Sequence, residues 1–478
     1  MSPFKKSVGL RSREDSITKK DHLIVSREHS VGEKSTNEFS SVLLKLIVKY
    51  KHLKNAGEDF FEKMVEPTSI SLYNEFCRSQ SSREVGMNNN TTILRQILSM
   101  IPRGKFEKEA EKNGYNRYVK HFTVWVQMIV NLYAQISGKM SLRDIETGLK
   151  VQHKDWYHLG ITNVSKSQLS LANQYRSFEI FKSLYFQLYS RCASLAPKHK
   201  FRFKNPLKIL DSSVITLCLS AFPWAKYTKK KGALKMHTLL DYKGTIPSFM
   251  VVTPGKDSDI KVAKQSELPL SPDSILVADR AYIDFSWYNE LNTKGVFFVI
   301  RVKKKLNFEV LEEETQIQVK KTISDKKIRI TGVRTSAKYP HQLRLIRLEV
   351  KGEKPVLLLT NNFKFAASTI TQIYKARWDI EQFFRWIKQN LKIKTFLGTS
   401  ENAVLIQIWT ALIYYLLLAY MKYQTQYKFS LLHFSRVLKE ALFKKVGIID
   451  ILNFSPDRIK KAREPDQQKR LWDFKEFY

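Results

Sequence analysis

The chain has 478 residues and carries 81 Lys and Arg against 45 Asp and Glu, which gives a formal net charge of +36. This length predicts roughly two to four domains. The charge favours a polyanionic partner; nucleic acid is the commonest, and an anionic membrane surface is the alternative. The cysteines, Cys77, Cys192 and Cys218, lie far apart without a CxxC spacing, which argues against a zinc site or a disulfide framework.

The N-terminal segment, residues 1–86, lacks a strong core pattern. Its first 40 residues are polar and basic with little periodicity, which predicts disorder. The run SVLLKLIVKYKHL at 41–53 has the pattern of an amphipathic helix. The segment contains no apolar h-region, so no signal peptide is predicted.

A mostly helical region follows, from about residue 90 to residue 192. NNNTTILRQILSMI places capping Asn and Thr residues before an apolar stripe, and HFTVWVQMIVNLYAQI is apolar enough for a buried helix. Ser141, with Asp144 three residues on, predicts one capped helix, and Ser165 or Ser167 predicts the next. The turn between these two helices contains His and Gly, so the pair predicts either a DNA-contacting helix-turn-helix or a plain helical bundle.

From Leu207 the pattern changes to strands. LKILD and DSILVAD are apolar runs that end at Asp211 and Asp279, and ALKMHTLLDY, IPSFMVVTPG and VFFVIRV predict three more strands, with a tight turn at Lys243–Gly244. Three closely joined strands followed by strands that alternate with helices indicate a mixed α/β sheet. Between residues 303 and 360 a period of two predicts an inserted block of antiparallel strands.

A long helix is predicted to start at Ser368 or Thr369 and to contain YKARWDIEQFFRWIK at 374–388. On a helical wheel of about 100° per residue, four polar residues of this helix fall within roughly 60° of one another and border its apolar stripe. These four residues are Tyr374, Arg377, Glu381 and Lys388. Glu381 is therefore predicted at the rim of the core. The alternative is a solvated salt-bridge row in which Arg377 pairs with Glu381 at i,i+4.

The C-terminal part contains one long apolar segment, AVLIQIWTALIYYLLLAY at 403–420. It approaches the length of a membrane span, about 20 residues. It contains Gln407 and Thr410 and stands alone, so a buried core helix is favoured over a span. The basic helix LLHFSRVLKEALFKKV is predicted to follow.

Three carboxylates are the candidate catalytic residues and metal ligands: Asp211, Asp279 and Glu381. Residues beyond strand ends point into the crevice of an α/β sheet, although an acidic residue there can also simply cap a turn. Carboxylate oxygens suit Mg²⁺ or Mn²⁺, and two such ions roughly 3.5–4 Å apart would clamp an in-line phosphodiester displacement. The remaining members of the polar stripe would then hold phosphates on either side of the reacting bond.

These residues resemble a known family. The spacing Y-x2-R-x3-E-x6-K at 374–388 matches the YREK signature of the insertion-sequence-four-like DDE transposases. LDSS around Asp211 and ADRAY around Asp279 look like the two aspartate blocks of that family, and LLLTNN together with the YREK helix is similar to its third block. The resemblance covers roughly residues 87–422.

The resemblance implies an RNase H-like mixed α/β core, a β-rich insertion before the Glu-bearing helix, and a helical N-terminal domain. It also implies cut-and-paste transposition by two-metal hydrolysis and strand transfer. The substrate would be double-stranded DNA, at the transposon ends and at the target, and the chain would be a homodimer in the synaptic complex. The implied location is cytoplasmic and nucleoid-associated, with no membrane. The basic clusters of the chain predict further phosphate contacts, at Lys229, Lys230 and Lys231 among others.

Six segments are predicted along the chain. They are a basic extension (1–86), a helical DNA-binding domain (87–200), the first part of the core (201–302), the β-rich insertion (303–362), the second part of the core with the Glu helix (363–425) and a basic helical region (426–478).

Two departures from the family pattern stand out. Relatives of this subgroup typically begin near Met87, so residues 1–86 are an extension. Val356 occupies the position where some relatives carry a Trp that stacks on a flipped base during hairpin formation. Two other functions fit the same carboxylates less well: an RNase H-like DNA nuclease that does not transpose, and an inactive DNA-binding repressor derivative.

Overall fold

The computed structural model describes residues 91–228, 231–303, 306–318, 321–352, 354–390 and 396–452. The disorder and the amphipathic helix that the sequence predicts within residues 1–86 lie outside the described residues. The same holds for Lys229 and Lys230 of the predicted basic cluster.

Helices fill the N-terminal part of the described chain. They are α1 (Ile93–Ser99), α2 (Arg103–Lys112), α3 (Val124–Ser137), α4 (Leu142–Val151), α5 (Trp156–Leu159), α6 (Lys166–Tyr175) and α7 (Glu179–Leu195). Ser141 accepts a hydrogen bond from the Asp144 amide and Ser165 accepts one from the Gln168 amide, so the predicted caps of α4 and α6 are confirmed. The backbone between α6 and α7 bonds instead to the side chain of Asn402, which accepts from the Phe178 amide and donates to the Arg176 carbonyl.

The strands join into one mixed sheet. They are β1 (Leu207–Leu217), β2 (Gly232–Asp241), β3 (Ile246–Pro254), β4 (Ile275–Ala278), β5 (Phe297–Arg301), β6 (Phe308–Gln318), β7 (Lys321–Ile330), β8 (Leu343–Val350) and β9 (Val356–Thr360). Their order is β3-β2-β1-β4-β5-β9-β8-β7-β6. β1, β4 and β5 run parallel, and β1–β2 and β2–β3 are antiparallel. This arrangement confirms the predicted mixed α/β, RNase H-like class.

The predicted β-rich insertion is a continuation of the core sheet. β9 pairs antiparallel with β5 on one side and with β8 on the other, and β7 and β6 follow outward. Val356 starts β9. Because β9 lies between the core strands and the inserted ones, the insertion is held by backbone hydrogen bonds and not by side-chain packing alone.

Further helices cover both faces of the sheet. They are α8 (Asp259–Gln265), α9 (Phe285–Thr293), α10 (Val333–Ser336), α11 (Ala367–Lys375), α12 (Trp378–Asn390), α13 (Glu401–Thr425), α14 (Leu431–Ala441) and α15 (Ile448–Leu452). One face of the sheet belongs to an apolar cluster that also contains α11, α12, α13 and the N-terminal helices. The other face belongs to a second apolar cluster, which contains residues of α8 and α9.

Helix α13 is the centre of the larger cluster. Among the residues that the structure describes, it alone is long and apolar enough to cross a membrane, and 83% of its apolar window is buried inside the protein. The prediction of a buried core helix is therefore confirmed. The hydroxyls of Tyr415 on α13 and Tyr185 on α7 donate to the carbonyls of Thr245 and Pro247, which lie around the β2–β3 turn.

Candidate active site

Asp211 and Asp279 stand side by side because of the register between two parallel strands. Leu210 of β1 lies opposite Ala278 of β4, so the two aspartates follow at the same level of the sheet. The prediction that the first strand ends at Asp211 is wrong, because β1 continues to pair with β2 as far as Leu217. It is β4 that ends here: the Asp279 carboxylate accepts from the Ala281 amide at 2.8 Å and caps a short 3-10 turn.

The Glu-bearing helix is interrupted just before Glu381. The sequence predicts one continuous helix, which is wrong: α11 ends at Lys375 and α12 begins at Trp378. The Arg377 amide bonds to the Tyr374 carbonyl at 3.1 Å, a three-residue step that tightens the chain at this point. Tyr374 and Glu381 consequently belong to different helices, with Arg377 between them.

Arg377 joins two of the three carboxylates. Its guanidinium donates to Asp211 Oδ2 at 3.2 Å and also to Glu381 Oε1. The exposed side-chain fractions are 17% for Asp211, 20% for Arg377 and 33% for Glu381, so the predicted position of Glu381 at the rim of the core agrees with the structure. The i,i+4 pair between Arg377 and Glu381 is present, but it continues into a mostly buried aspartate of the sheet and is not a solvated row.

The carboxylate of Asp211 lies within range of the charges of the other two carboxylates. The pKa of Asp211 is raised to about 6, mainly by burial and also by the neighbouring charges of Asp279 and Glu381. The Ser212 amide, which donates to Asp211 Oδ1 at 2.8 Å, and the guanidinium of Arg377 oppose this rise. Negative charge at this site is therefore only partly compensated by the chain.

Tyr374 lies beside the same group of charges. Its ring centroid is 5.9 Å from the Arg377 guanidinium carbon. Burial raises the pKa of the Tyr374 hydroxyl, Asp279 raises it too, and Arg377 and Arg301 lower it. Arg301 ends β5, next to β4, and the sequence analysis missed it. The sequence feature that could have identified Arg301 is its position as a cation directly after the apolar run VFFVI.

The other predicted contact residues lie farther along the chain. Lys388 is half-buried on α12, two helical turns beyond Glu381. Lys231 is exposed in the loop between β1 and β2, where its amide bonds to the Thr228 hydroxyl at 3.1 Å. The structure brings Tyr374 and Arg377 to the carboxylates and leaves Lys231 on a separate loop.

The donor chemistry of the site fits a hard divalent cation, since three carboxylates supply oxygen ligands and Asp211 lies in excess negative charge. Among the described residues, however, no three His, Cys, Asp or Glu side chains converge closely enough to form a ready-made metal cluster. Arg377 provides the positive charge between Asp211 and Glu381 in this structure.

The site thus combines two register-adjacent aspartates of a mixed sheet with a glutamate in the first turn of a covering helix. The chain carries a DDE transposase domain. The family "Transposase DDE domain" matches residues 202–417, and "Domain of unknown function (DUF4372)" matches residues 89–162.

Named relatives agree with this assignment. The probable transposase for insertion sequence element IS5377 of Geobacillus stearothermophilus is 28% identical over 71% of this chain and 87% of its own length. The putative transposase y4zB of Sinorhizobium fredii is 29% identical over 51% of this chain and 69% of its own. The putative transposase for insertion sequence element IS4SA of a Synechocystis species is 23% identical over 69% and 89%. The chain is a transposase, and the nuclease and repressor alternatives are not favoured.

Proposed function

We propose that the chain cuts and joins DNA at the ends of an insertion sequence, with Asp211, Asp279 and Glu381 as its catalytic carboxylates. The observation that carries this proposal is the register of β1 and β4, which puts Asp211 and Asp279 at one level of the sheet, together with the Arg377 bridge to Glu381. The three carboxylates come from distant parts of the chain, and the contacts of Arg377 with Asp211 and Glu381 support their assignment to one site.

These three carboxylates would hold two Mg²⁺ or Mn²⁺ ions. When bound, the ions would supply Lewis-acid stabilisation of the attacking and leaving oxygens of a phosphodiester. The chain contributes orientation: the Ser212 amide fixes one oxygen of Asp211, and the Ala281 amide fixes one oxygen of Asp279. Each carboxylate is left with a second oxygen for a ligand, once Arg377 turns from Asp211 toward a phosphate.

Several cations and one tyrosine hydroxyl are proposed to bind the DNA strands. Arg377, Lys388 and the Tyr374 hydroxyl are the proposed phosphate ligands, and Lys229, Lys230 and Lys231 are proposed to add contacts from the β1–β2 loop. The substrate is double-stranded DNA with terminal inverted repeats, and two copies of the chain would bring the two ends together. The helical region at 87–200 is the proposed DNA-binding domain; its α4 and α6 are linked by a bond from the Lys166 amide to Glu146.

Substitution of the carboxylates tests the proposal. We expect Asp279→Asn and Glu381→Gln to abolish strand cleavage in Mg²⁺ and in Mn²⁺ while DNA binding stays within a few fold of wild type, because the ligands are lost and the phosphate contacts remain. Cleavage of labelled transposon-end duplexes and a binding titration on the same preparations measure both effects.

Asp284→Asn is the matched control. Asp284 lies five residues after Asp279 and caps α9 by accepting from the Trp287 amide at 2.9 Å. Asn caps a helix about as well as Asp does, so this variant should keep full cleavage. Wild-type cleavage by either Asp279→Asn or Glu381→Gln would refute the assignment of the three carboxylates.

A further inference from the structure

The segment that leads from α7 into β1 alternates cations with aromatic rings. It reads KHKFRFK at 198–204. All four of its cations are exposed, and the three rings between them, His199, Phe201 and Phe203, are half-buried. We call the four cations the basic strip: Lys198, Lys200, Arg202 and Lys204.

The aromatic rings of this segment pack against the protein. Phe201 and Phe203 stack with centroids 4.9 Å apart, and Phe203 stacks in turn on Phe365 at 4.9 Å. The ring of His199 lies 5.1 Å from that of Phe203, and the ring of Phe201 lies 5.7 Å from that of Tyr242, which directly follows β2. Rings at alternate positions therefore face the protein together, and the cations between them face solvent. The segment is fixed from two sides, so little additional ordering is needed to present these charges.

The basic strip carries charge that nearby carboxylates do not neutralise. No member of it forms an ion pair with a carboxylate of the described residues, whereas the neighbouring Lys208 is paired with Asp241 at 3.0 Å. Asp379, on the first turn of α12, is near enough to Lys200 for the lysine to lower its pKa, although burial raises that pKa overall. Four exposed cations against one partly buried carboxylate favour a polyanionic ligand.

The basic strip is distinct from the proposed catalytic carboxylates, although Lys200 lies near Asp379 in the same first turn of α12 as Glu381. It precedes the amino end of β1, and Asp211 lies four residues inside that strand, about 13 Å farther at 3.3 Å per residue. Asp279 and Arg301 lie at the carboxyl ends of β4 and β5, which point away from the amino end of β1 because these strands are parallel.

We propose that the basic strip binds the phosphate backbone of a DNA duplex outside the segment that is cleaved. This inference rests on the proposed function, since it takes its polyanion to be the DNA on which a transposase acts. Contacts of this kind position a duplex without reading its sequence. Its consequence is a DNA path that extends from the carboxylates toward the end of the sheet at which β1 begins.

The salt dependence of binding tests the basic strip directly. Each phosphate contact adds about 0.9 to the slope of log affinity against log salt, so four contacts account for a slope of about 3–4. We therefore compare how far the affinity for a duplex several helical turns long falls between about 50 and 200 mM salt. In the variant K198Q/K200Q/R202Q/K204Q this fall should be roughly a hundredfold smaller than in wild type. Its melting temperature should match wild type, because all four side chains are exposed.

The control variant removes the same number and kind of charges elsewhere. K261Q/K294Q/R334Q/K338Q changes three exposed Lys and one exposed Arg on or just after helices α8, α9 and α10. We expect it to keep nearly the wild-type slope. The inference would be overturned if the slope of the strip variant did not change, or if the slope of the control fell by the same amount. It would also be overturned if the basic strip were needed for binding to anionic phospholipid vesicles and not for binding to DNA. Loss of cleavage in Asp279→Asn concerns the proposed function alone, because it does not change these slopes.

Discussion

Arg377 is a counter-ion of the site as well as a proposed phosphate ligand. Its guanidinium contacts Asp211 and Glu381 and lies over the ring of Tyr374. Without it, Asp211 would keep its burial and the two like charges that raise its pKa, and it would lose the cation that opposes them. Arg377 could hold a phosphate only by giving up part of this pairing. A phosphate of the DNA would therefore compete with the carboxylates for Arg377, and a bound metal ion would compete with Arg377 for the carboxylates.

We expect Arg377→Ala to reduce both stability and cleavage. Losing charge-assisted hydrogen bonds at a mostly buried position should cost about 1–3 kcal/mol of unfolding free energy. Loss of a phosphate contact worth about 1.5–3 kcal/mol should slow cleavage per folded molecule roughly ten- to hundredfold. Denaturant unfolding and single-turnover cleavage on the same preparation separate the two effects.

Arg385→Ala is the control on the same helix, because Arg385 is exposed and lies 5.5 Å from the ring of the half-exposed Trp378. Its unfolding free energy should change by about 0.5 kcal/mol or less, and its cleavage rate should not change. If Arg377→Ala lost stability but cleaved at the wild-type rate per folded molecule, Arg377 would have only a structural role.

At the scale of elements, the β2–β3 hairpin shows how the helical layer fixes the sheet that carries Asp211. β2 is the antiparallel neighbour of β1. The turn after β2 is bonded to α13 through Tyr415, which donates to the Thr245 carbonyl at 2.8 Å, and through Tyr423, which donates to the Gly244 carbonyl. Gly244 adopts φ +76°, a left-handed conformation that favours glycine.

We expect Gly244→Ala to destabilise the protein more than an ordinary left-handed glycine substitution would. The left-handed backbone alone costs about 1–2 kcal/mol with a Cβ. The new Cβ would lie 2.7 Å from the Tyr423 hydroxyl and 2.8 Å from Ala196 Cβ, and this crowding should add about 1–3 kcal/mol. Urea unfolding measures the total.

Gly114→Ala is the matched comparison, since Gly114 has φ +69° and a Cβ there would meet nothing within 4 Å among the described residues. It should show the backbone cost alone. Equal losses of unfolding free energy in the two variants would mean that the contact with α13 does not hold the hairpin.

At the scale of the whole molecule, the two ends of the described chain pack together. The amides of Ile93 and Leu94 on α1 bond to the carbonyls of Lys444 and Leu442 at 3.1 and 2.9 Å. The side chains of Ile93, Leu94 and Ile97 are fully buried in the cluster that also contains α13. The predicted boundaries near residues 200 and 425 are therefore crossed by a common core, and the division into domains stays a prediction.

We expect a truncation that begins at Met87 to fold cooperatively and to cleave DNA, because it keeps α1 and every described contact. A truncation that begins at Arg103 should unfold at a much lower temperature or fail to fold. It removes three fully buried aliphatic side chains, each worth about 1.5–3 kcal/mol. Calorimetry and cleavage assays on both truncations provide the measurements. A folded Met87 truncation without cleavage would show that residues 1–86 take part in the reaction.

The sequence by itself determined the features that depend on local pattern. Alternation and apolar runs located the strands around Asp211 and Asp279, the wheel placed Glu381 at the rim of a buried face, and composition identified α13 as a core helix. These predictions succeed because the spacing of apolar residues along a single helix or strand determines which of its faces is buried. The spaced Tyr, Arg, Glu and Lys then indicated the family.

The tertiary structure decided what meets across the chain. Asp211 and Arg377 are 166 residues apart, and only the packing of α12 on β1 brings them into contact. The same contacts hold Arg377 between α11 and α12, where periodicity predicted an unbroken helix, and backbone pairing between β5 and β9 joins the predicted insertion to the core sheet. Such contacts are set by register and by the balance of buried charge between distant segments, and neither quantity is encoded in the period of one segment.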